Sequence, residues 1–321
     1  MAPVGAAPLV QTRALVKRHY ARGLLARGGS GTLAVDRVSL EIERARVFGL
    51  VGESGCGKST LARALVWLDP PTSGDVFYDG VSLGTLSRRG LRALRTRMQI
   101  VFQDPNGALD PRMRVRQSME EGLVTIGMPA AERERRVDEL LDLVGVSPES
   151  ASRYPHEFSG GQKQRIVVAR ALTLAPEFLV LDEPVSNLDV SVQAQIINLL
   201  MDLKERFSLT YLFITHDLHL VAYLSDRIGV MLRGRLVENA SAEELLSHPL
   251  HPYTVRLFAS VPGVDASHPP QPGRLADAAE SVRAGCPFRP SCDRALSICA
   301  IEDPELRDVG AGHLAACHAL V

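Results

Sequence analysis

The chain has no run of about 18 or more apolar residues anywhere in its 321 positions, so it offers no candidate membrane span. Its first residues, MAPVGAAPLVQTRALVKRHY, lack an apolar core between a basic start and a cleavage site, which speaks against secretion. A charge excess is also missing. The 36 basic and 37 acidic side chains give a net charge of −1, whereas a general nucleic-acid binder carries a basic surplus or stripe. The Arg-rich stretch SRRGLRALRTR (87–97) reads more simply as the wet face of a short helix, through Arg88, Arg92 and Arg95. No nucleic-acid partner is expected. Lysine is scarce, present only at Lys17, Lys58, Lys163 and Lys204. Cysteine is scarce outside one region: Cys56 stands alone, and Cys286, Cys292, Cys299 and Cys317 fall within the last 36 residues. With no export expected, a reducing cytosol disfavours a structural disulfide framework for that tail. No internal repeat is visible.

What is present suits an ordinary globular protein, with 45% hydrophobic and 23% charged residues and length for one large α/β domain with an appendage, or two small domains. Short β-branched runs read as strands: RVFGLVG (46–52), MQIVFQ (98–103), FLVLDE (178–183), TYLFITHD (210–217) and RIGVMLRG (227–234). Helical spacing marks KSTLARALVWL (58–68), 130–146, 160–174 and 191–207, with Val137, Leu140, Leu141 and Val144 on one apolar face. Strands alternating with helices imply a largely parallel sheet covered on both faces. From Pro262 to Gly273 a Pro-rich, polar stretch reads as a linker before the cysteine tail.

The strongest chemical signal is GESGCGKST, Gly52 to Thr60: a strand, then G-x-x-x-x-G-K-S, then a helix. In that context Gly52, Ser54, Gly55, Cys56 and Gly57 supply a backbone that can turn N–H groups around phosphates, aided by the helix N-terminus. Lys58 would bridge the β- and γ-phosphates, with the Ser59 hydroxyl on Mg²⁺ and Thr60 beside it. A compact ammonium thus sits where the loop needs one, in a chain that otherwise prefers arginine. A chance Gly-rich turn is the competing reading, and the flanking strand and helix weigh against it. FLVLDEP delivers Asp182 and Glu183 at a strand's C-terminal end, where α/β ligand sites lie. Asp182 would hold Mg²⁺ and Glu183 would deprotonate the attacking water. Between them, Ser159, Gly160, Gly161 and Gln162 open another helix, a second anion site in one chain. Two subunits paired head to tail, each SGGQ capping the nucleotide held by the other, would use both.

From about residue 10 to 245 the chain resembles an ATP-binding-cassette ATPase. The resemblance implies an α/β fold: a P-loop nucleoside-triphosphatase core with antiparallel β and helical subdomains (the latter about 104–168), plus a small Cys-rich C-terminal extension at 246–321. Gln103 resembles the glutamine that senses Mg²⁺ and the lytic water, His216 the switch histidine, Asp189 the aspartate that communicates across the dimer, and Tyr20 the ring that stacks on adenine. Singly, Gln103 could be a strand cap, His216 a core histidine and Tyr20 a packing ring. Phe158, Asn187 and Ala45 depart from the usual leucine, alanine and turn glycine, and none removes a catalytic group.

VFQDPNGALDPRM (101–113), EPVSNLDVSVQAQIINLL (183–200) and HPLHPYTVRLFASVP (248–262), with the GCPF.P.C stretch, are similar to the ATP-binding subunits of dipeptide/oligopeptide-type importers. The resemblance implies ATP and Mg²⁺ as cofactors and a second ATPase subunit, identical or paralogous. It further implies two membrane permease subunits, an extracytoplasmic substrate-binding protein and a peripheral place on the cytoplasmic face of the membrane. Nickel- and glutathione-type cargo share these motifs, and a non-transport cassette ATPase is the alternative from another class. The spacings C-x5-C, C-x6-C and C-x17-C select no metal by themselves, since zinc sites favour closer pairs and would need His313 or His318. In the peptide-importer family such a tail is associated with a [4Fe–4S] cluster; zinc and metal-free buried cysteines are the alternatives.

Overall fold

The computed structural model describes residues 7–20, 31–259 and 285–320. The linker expected over 262–273 lies outside the described residues. Two compact units form, one from Ala7–Ile42, Val47–Ser82 and Thr215–Val321, the other from Glu43–Arg46 and Leu83–Ile214.

In chain order, the first unit opens with strands β1 (Val10–His19) and β2 (Thr32–Ile42), followed by β3 (Val47–Val51), helix α1 (Lys58–Leu65), β4 (Ser73–Tyr78) and β5 (Val81–Ser82). An antiparallel sheet runs β2-β1-β4-β5, so the antiparallel subdomain implied by the resemblance is present. Buried Val10, Thr12 and Leu15 alternate with wetter residues along the start of β1, the pattern of a sheet with one covered face. β3 differs, with all five residues buried.

The second unit holds α2 (Arg88–Arg97), β6 (Met98–Val101), α3 (Pro105–Ala108), α4 (Val115–Thr125), α5 (Ala130–Leu143), α6 (Gly160–Leu172), β7 (Phe178–Asp182), α7 (Val190–Phe207) and β8 (Thr210–Ile214). β6, β7 and β8 pair in parallel, with Ile100 opposite Val180 and Val180 opposite Leu212. Every residue of β7 and β8 is buried, as strands covered on both faces must be. α2 buries nothing, in keeping with a wet arginine face.

The chain then completes the first unit with α8 (Leu218–Leu224), β9 (Arg227–Leu232), β10 (Arg235–Ser241), α9 (Ala242–Ser247), α10 (Pro252–Phe258), β11 (Arg307–Asp308) and β12 (Leu314–Ala315). β9 runs parallel to β3 and antiparallel to β10, and β10 pairs antiparallel with β12. The extension is therefore docked by strand pairing. Asp303 adds charge contacts, taking Arg37 Nη2 at 2.8 Å and Arg235 Nη2 at 2.7 Å.

Three helices stop short of their expected ends because the backbone turns left-handed: α1 ends at Leu65 ahead of Trp67 (φ 55°), α5 at Leu143 ahead of Gly145 (72°), and α6 at Leu172 ahead of Ala175 (50°). Ala45, noted as standing where glycine is usual, takes φ 55° and donates its N–H to Thr210 Oγ1 at 2.9 Å. Holding an alanine there costs about 1–2 kcal/mol.

Candidate functional site

β3 is a straight buried strand, and the chain leaves it through Gly52 (φ 150°), Gly55 (78°) and Gly57 (110°). A Cβ at Gly52 would stand 2.1 Å from the Met231 carbonyl oxygen, and one at Gly57 2.1 Å from that of Ala34. Both positions need glycine for space as well as for conformation. Gly57 is the N-cap of α1 and, having no side chain, makes no side-chain cap hydrogen bond. Helix N-termini that follow a glycine turn are common anion-binding sites, because backbone N–H groups and the helix dipole point outward there. Lys58 is 5% exposed, with Nζ 2.6 Å from the Gly52 oxygen and 2.9 Å from that of Glu53, so the ammonium folds back over its own loop. Cys56 is buried with Sγ 3.8 Å from Lys58 Nζ, and burial pushes its thiol up, leaving it a neutral packing group. These features fit a nucleotide phosphate.

The same unit carries two more residues singled out from the sequence. Tyr20 follows β1 and is 60% exposed. His216 lies on the bend ahead of α8, exposed, between Thr215 and Asp217. That bend is held from both sides: Asp217 donates its N–H to Thr215 Oγ1 at 3.0 Å and accepts from His219 N–H at 2.9 Å.

In the other unit, β7 places Asp182 at its buried end, 4% exposed. Glu183 follows in the left-handed region (φ 50°), its N–H donating to the Ile214 oxygen at 2.9 Å. Gln103, just past β6, donates from Nε2 to Glu183 Oε2 at 3.0 Å and to Ser186 Oγ at 3.3 Å. Ser186 Oγ in turn donates to the Glu183 oxygen at 3.2 Å, and Asn187 Nδ2 reaches the Gln103 oxygen at 3.5 Å. Ser186 belongs to this cluster although sequence reasoning passed it over; its only signal was its place after the acidic pair.

Ser159 caps α6, accepting from Gln162 N–H at 3.3 Å while Gln162 Oε1 accepts from Ser159 N–H at 3.0 Å. A Cβ on Gly161 would meet Val192 Cγ1 at 2.6 Å, and one on Gly160 would find ordinary contact with Leu188. Asp189 caps α7 through Val192 N–H at 3.0 Å and takes the Ser191 hydroxyl at 2.7 Å, bonds that hold its carboxyl below the usual range.

In the extension, Cys286 and Cys299 are buried, Cys292 and Cys317 half-buried, and all four are free thiols. Cys286 donates its N–H to the Cys299 oxygen at 2.9 Å. Burial pushes the thiols of Cys286, Cys292 and Cys317 up, so they stand as neutral groups. Among the described residues, no group of three or more His, Cys, Asp and Glu is set to hold a metal ion. A mixed zinc site through His313 is disfavoured, because His313 Nε2 lies 2.7 Å from Glu238 Oε1 and Nδ1 3.6 Å from Glu244 Oε1. His318 Nε2 lies 3.1 Å from the Glu302 oxygen. Among the described residues, no helix is long and apolar enough to cross a membrane.

A glycine loop with a buried lysine, an acidic strand end and a Ser-Gly-Gly-Gln helix cap define a nucleotide-hydrolysing cassette, and comparison with known proteins agrees. The ABC transporter family matches residues 35–186, and the C-terminal region of the oligopeptide/dipeptide transporter family matches 237–299. A peptide import ATP-binding protein of Brucella ovis is 46% identical over 315 residues, covering 97% of each chain. The oligopeptide transport ATP-binding protein AppF of Bacillus subtilis is 45% identical over 313 residues, covering 94% of this chain and 95% of that one. Among solved structures, cbiO1 of Clostridium perfringens, part of the ABC transporter complex cbiONQ, superposes with a TM-score of 0.65 at 30% identity, covering 75% of this chain and 91% of that one. The ATP-binding cassette MJ0796, in a post-hydrolysis state bound to ADP and Pi, gives a TM-score of 0.64 at 28% identity over 73% of this chain and 98% of that one. The chain belongs to the ATP-binding subunits of oligopeptide/dipeptide-type ABC transporters, and its enzymatic activity is ATP hydrolysis.

Proposed function

We propose that this chain energises the import of di- and oligopeptides through a membrane permease, from the cytoplasmic face of the membrane. The observation that carries the reading is the match of its C-terminal region, 237–299, to the oligopeptide/dipeptide transporter family, continuous with an intact ATPase core. Residues 1–245 would be the ATPase domain, with a helical subdomain about 104–168, and 246–321 the importer-type extension.

Lys58 and the Gly52–Thr60 backbone bind the β- and γ-phosphates and Tyr20 stacks on the base; Ser59, Gln103 and Asp182 would hold Mg²⁺, which would supply positive charge against the charge developing on the phosphates. Glu183 accepts the proton of the attacking water, and His216 keeps that water and Glu183 in line. The 3.0 Å bond from Gln103 Nε2 to Glu183 Oε2 supports this reading, since it would orient the carboxylate that serves as base. Ser159 to Gln162 of one subunit cap the nucleotide of a second, identical or paralogous, with Asp189 at the junction. Binding energy realised only in the closed pair drives closure. A cleft lined by Gln99, Phe102, Gly107, Met119, Gly122 and Arg170 adjoins the Gln103 segment and is the natural seat for a permease element. Two permease subunits and an extracytoplasmic binding protein complete the assembly.

For the tail, the four thiols match in number and chemistry what a [4Fe–4S] cluster requires, and we assign the cluster to Cys286, Cys292, Cys299 and Cys317. Anaerobic purification should give about four irons per chain; one zinc or none would overturn that assignment and leave the ATPase intact. Deleting the chain from its host should abolish uptake of di- and oligopeptides while nickel and glutathione uptake continue. Loss of nickel or glutathione uptake alone would move the cargo to that class.

A further inference from the structure

The His-Pro-Tyr segment that opens α10, His251 as its N-cap and Pro252 and Tyr253 in its first turn, reaches the phosphate loop. Tyr253, 2% exposed, accepts at Oη the N–H of Glu53, the second residue of the glycine loop, at 3.2 Å. The carbonyl of the same Glu53 is the one that Lys58 Nζ approaches at 2.9 Å. That residue is therefore gripped on both sides, by the lysine that binds phosphate and by a phenol from 200 residues further along the chain. A phenylalanine would fill the same buried volume, so the hydroxyl is there for the loop.

Tyr253 is itself fixed in two ways. Its N–H donates to His251 Nδ1 at 3.0 Å, and His251 donates its own N–H to Glu238 Oε2 at 2.9 Å. Glu238 is fully buried and also takes the Leu250 N–H at 2.7 Å and His313 of the extension at 2.7 Å. From the other side, Phe288 packs its ring 5.6 Å from that of Tyr253 and 5.9 Å from that of His251. Phe288 is 4% exposed and lies between Cys286 and Cys292. The cysteine lobe is thus the wall against which the tyrosine stands.

We propose that Tyr253 is a positioning residue for nucleotide binding, its hydroxyl fixing the Glu53 peptide so that the phosphate loop is preset, and that the cysteine lobe tunes ATP affinity through Phe288. The proposal rests on the phosphate-loop reading of residues 52–60. It makes the extension a determinant of nucleotide binding rather than an appendage. A preset loop lowers the ordering cost of binding, and its effect falls on affinity rather than on the hydrolytic step at Glu183.

The test is MgATP titration of the full-length chain, with steady-state hydrolysis and thermal melting of the nucleotide-free protein. Tyr253→Phe keeps the ring and removes the acceptor. It should weaken MgATP binding about three- to tenfold, the range of one neutral hydrogen bond, with kcat at saturating ATP within about twofold and the melting temperature unchanged. Affinity equal to wild type, or kcat and melting temperature falling along with it, would overturn the proposal. Phe288→Leu should weaken binding in the wild-type background and add nothing in the Tyr253→Phe background. An equal loss in both backgrounds would remove the lobe from the relay. Lys58→Ala separates this proposal from its premise: it should abolish MgATP binding, and retained affinity there would refute the phosphate-loop reading itself.

Discussion

Two helices of this chain start at a glycine turn, α1 after its N-cap Gly57 and α6 at Gly160 after its N-cap Ser159, and their caps are built in opposite ways. α1 has a left-handed glycine as its cap, which contributes no side-chain bond, and it follows a loop whose glycines turn the backbone sharply. α6 has a reciprocal box, in which Ser159 and Gln162 satisfy each other's N–H groups. To reach a phosphate, as proposed, Ser159 would have to exchange a bond within its own chain. The difference teaches that, on the reading proposed above, one anion site would be a standing feature of the loop, while the other would be a closed cap that opens when a nucleotide on a second subunit arrives. Binding and dimer closure would then fall to different helix ends.

The largest effect should come from breaking the standing cradle. Gly57→Ala forces a Cβ to 2.1 Å from the Ala34 carbonyl at φ 110°, a backbone contact that no rotamer relieves. MgATP affinity should fall by about a hundredfold or more and the apo melting temperature should drop, since left-handed strain alone costs about 1–3 kcal/mol. Near-normal affinity in a calorimetric titration would show that the loop does not need its backbone path. Next in size is Glu183→Gln, which leaves both helix ends intact and removes the base. Hydrolysis should fall by about a hundredfold to ten-thousandfold while ATP is retained, so that the α6 box stays open in a trapped dimer. Rapid turnover in that variant would sink the assignment of the base.

Smaller effects should follow at the closed cap. Ser159→Ala removes the acceptor for Gln162 N–H, and a lost cap of this kind costs about 1 kcal/mol. Melting should fall by a few degrees, and hydrolysis by the paired subunits should fall more steeply than MgATP binding by the lone chain. Gln162→Ala removes the reciprocal acceptor only and leaves the Ser159 hydroxyl free to turn toward a phosphate. Dimer closure in that variant should be equal to or easier than wild type, as read by ATP-dependent association. Weaker association would mean that Gln162 itself touches the nucleotide.

Much of this was legible in the sequence because it is local. The phosphate loop is a fixed spacing of glycines between a strand and a helix, and the strands from β6 to β9 announce themselves as short β-branched runs. The turn at Ala45 was legible for the same reason, as a residue out of place in a tight corner. What escaped were contacts between distant segments. Gln103 and Glu183 meet across 80 positions and Tyr253 and Glu53 across 200, and no periodicity records such pairs. His313 shows the limit well: by residue type it was a possible metal ligand, and the fold gives it to Glu238 instead. The helix ends escaped too, because a left-handed Trp67 or Ala175 reflects packing rather than propensity.

That histidine supplies the smallest effect, and it contrasts the extension with the loop that the extension supports. His313 is nearly buried, and its hydrogen bond to Glu238, with Glu244 beyond, raises its pKa above the ordinary value of 6.5. A group whose folded pKa is raised stabilises fully below its unfolded value and loses that contribution as pH climbs through the folded one. Every tenfold gain in proton affinity on folding is about 1.4 kcal/mol. His313→Gln can still donate to Glu238 but cannot carry charge. The stability gap between wild type and this variant should therefore be widest at about pH 6 and narrow steadily toward pH 9. Denaturant midpoints at several pH values measure it directly. A gap that stays constant, or widens in alkali, would mean that His313 pairs with Glu238 as a neutral ring and that the bond between extension and core is indifferent to protons.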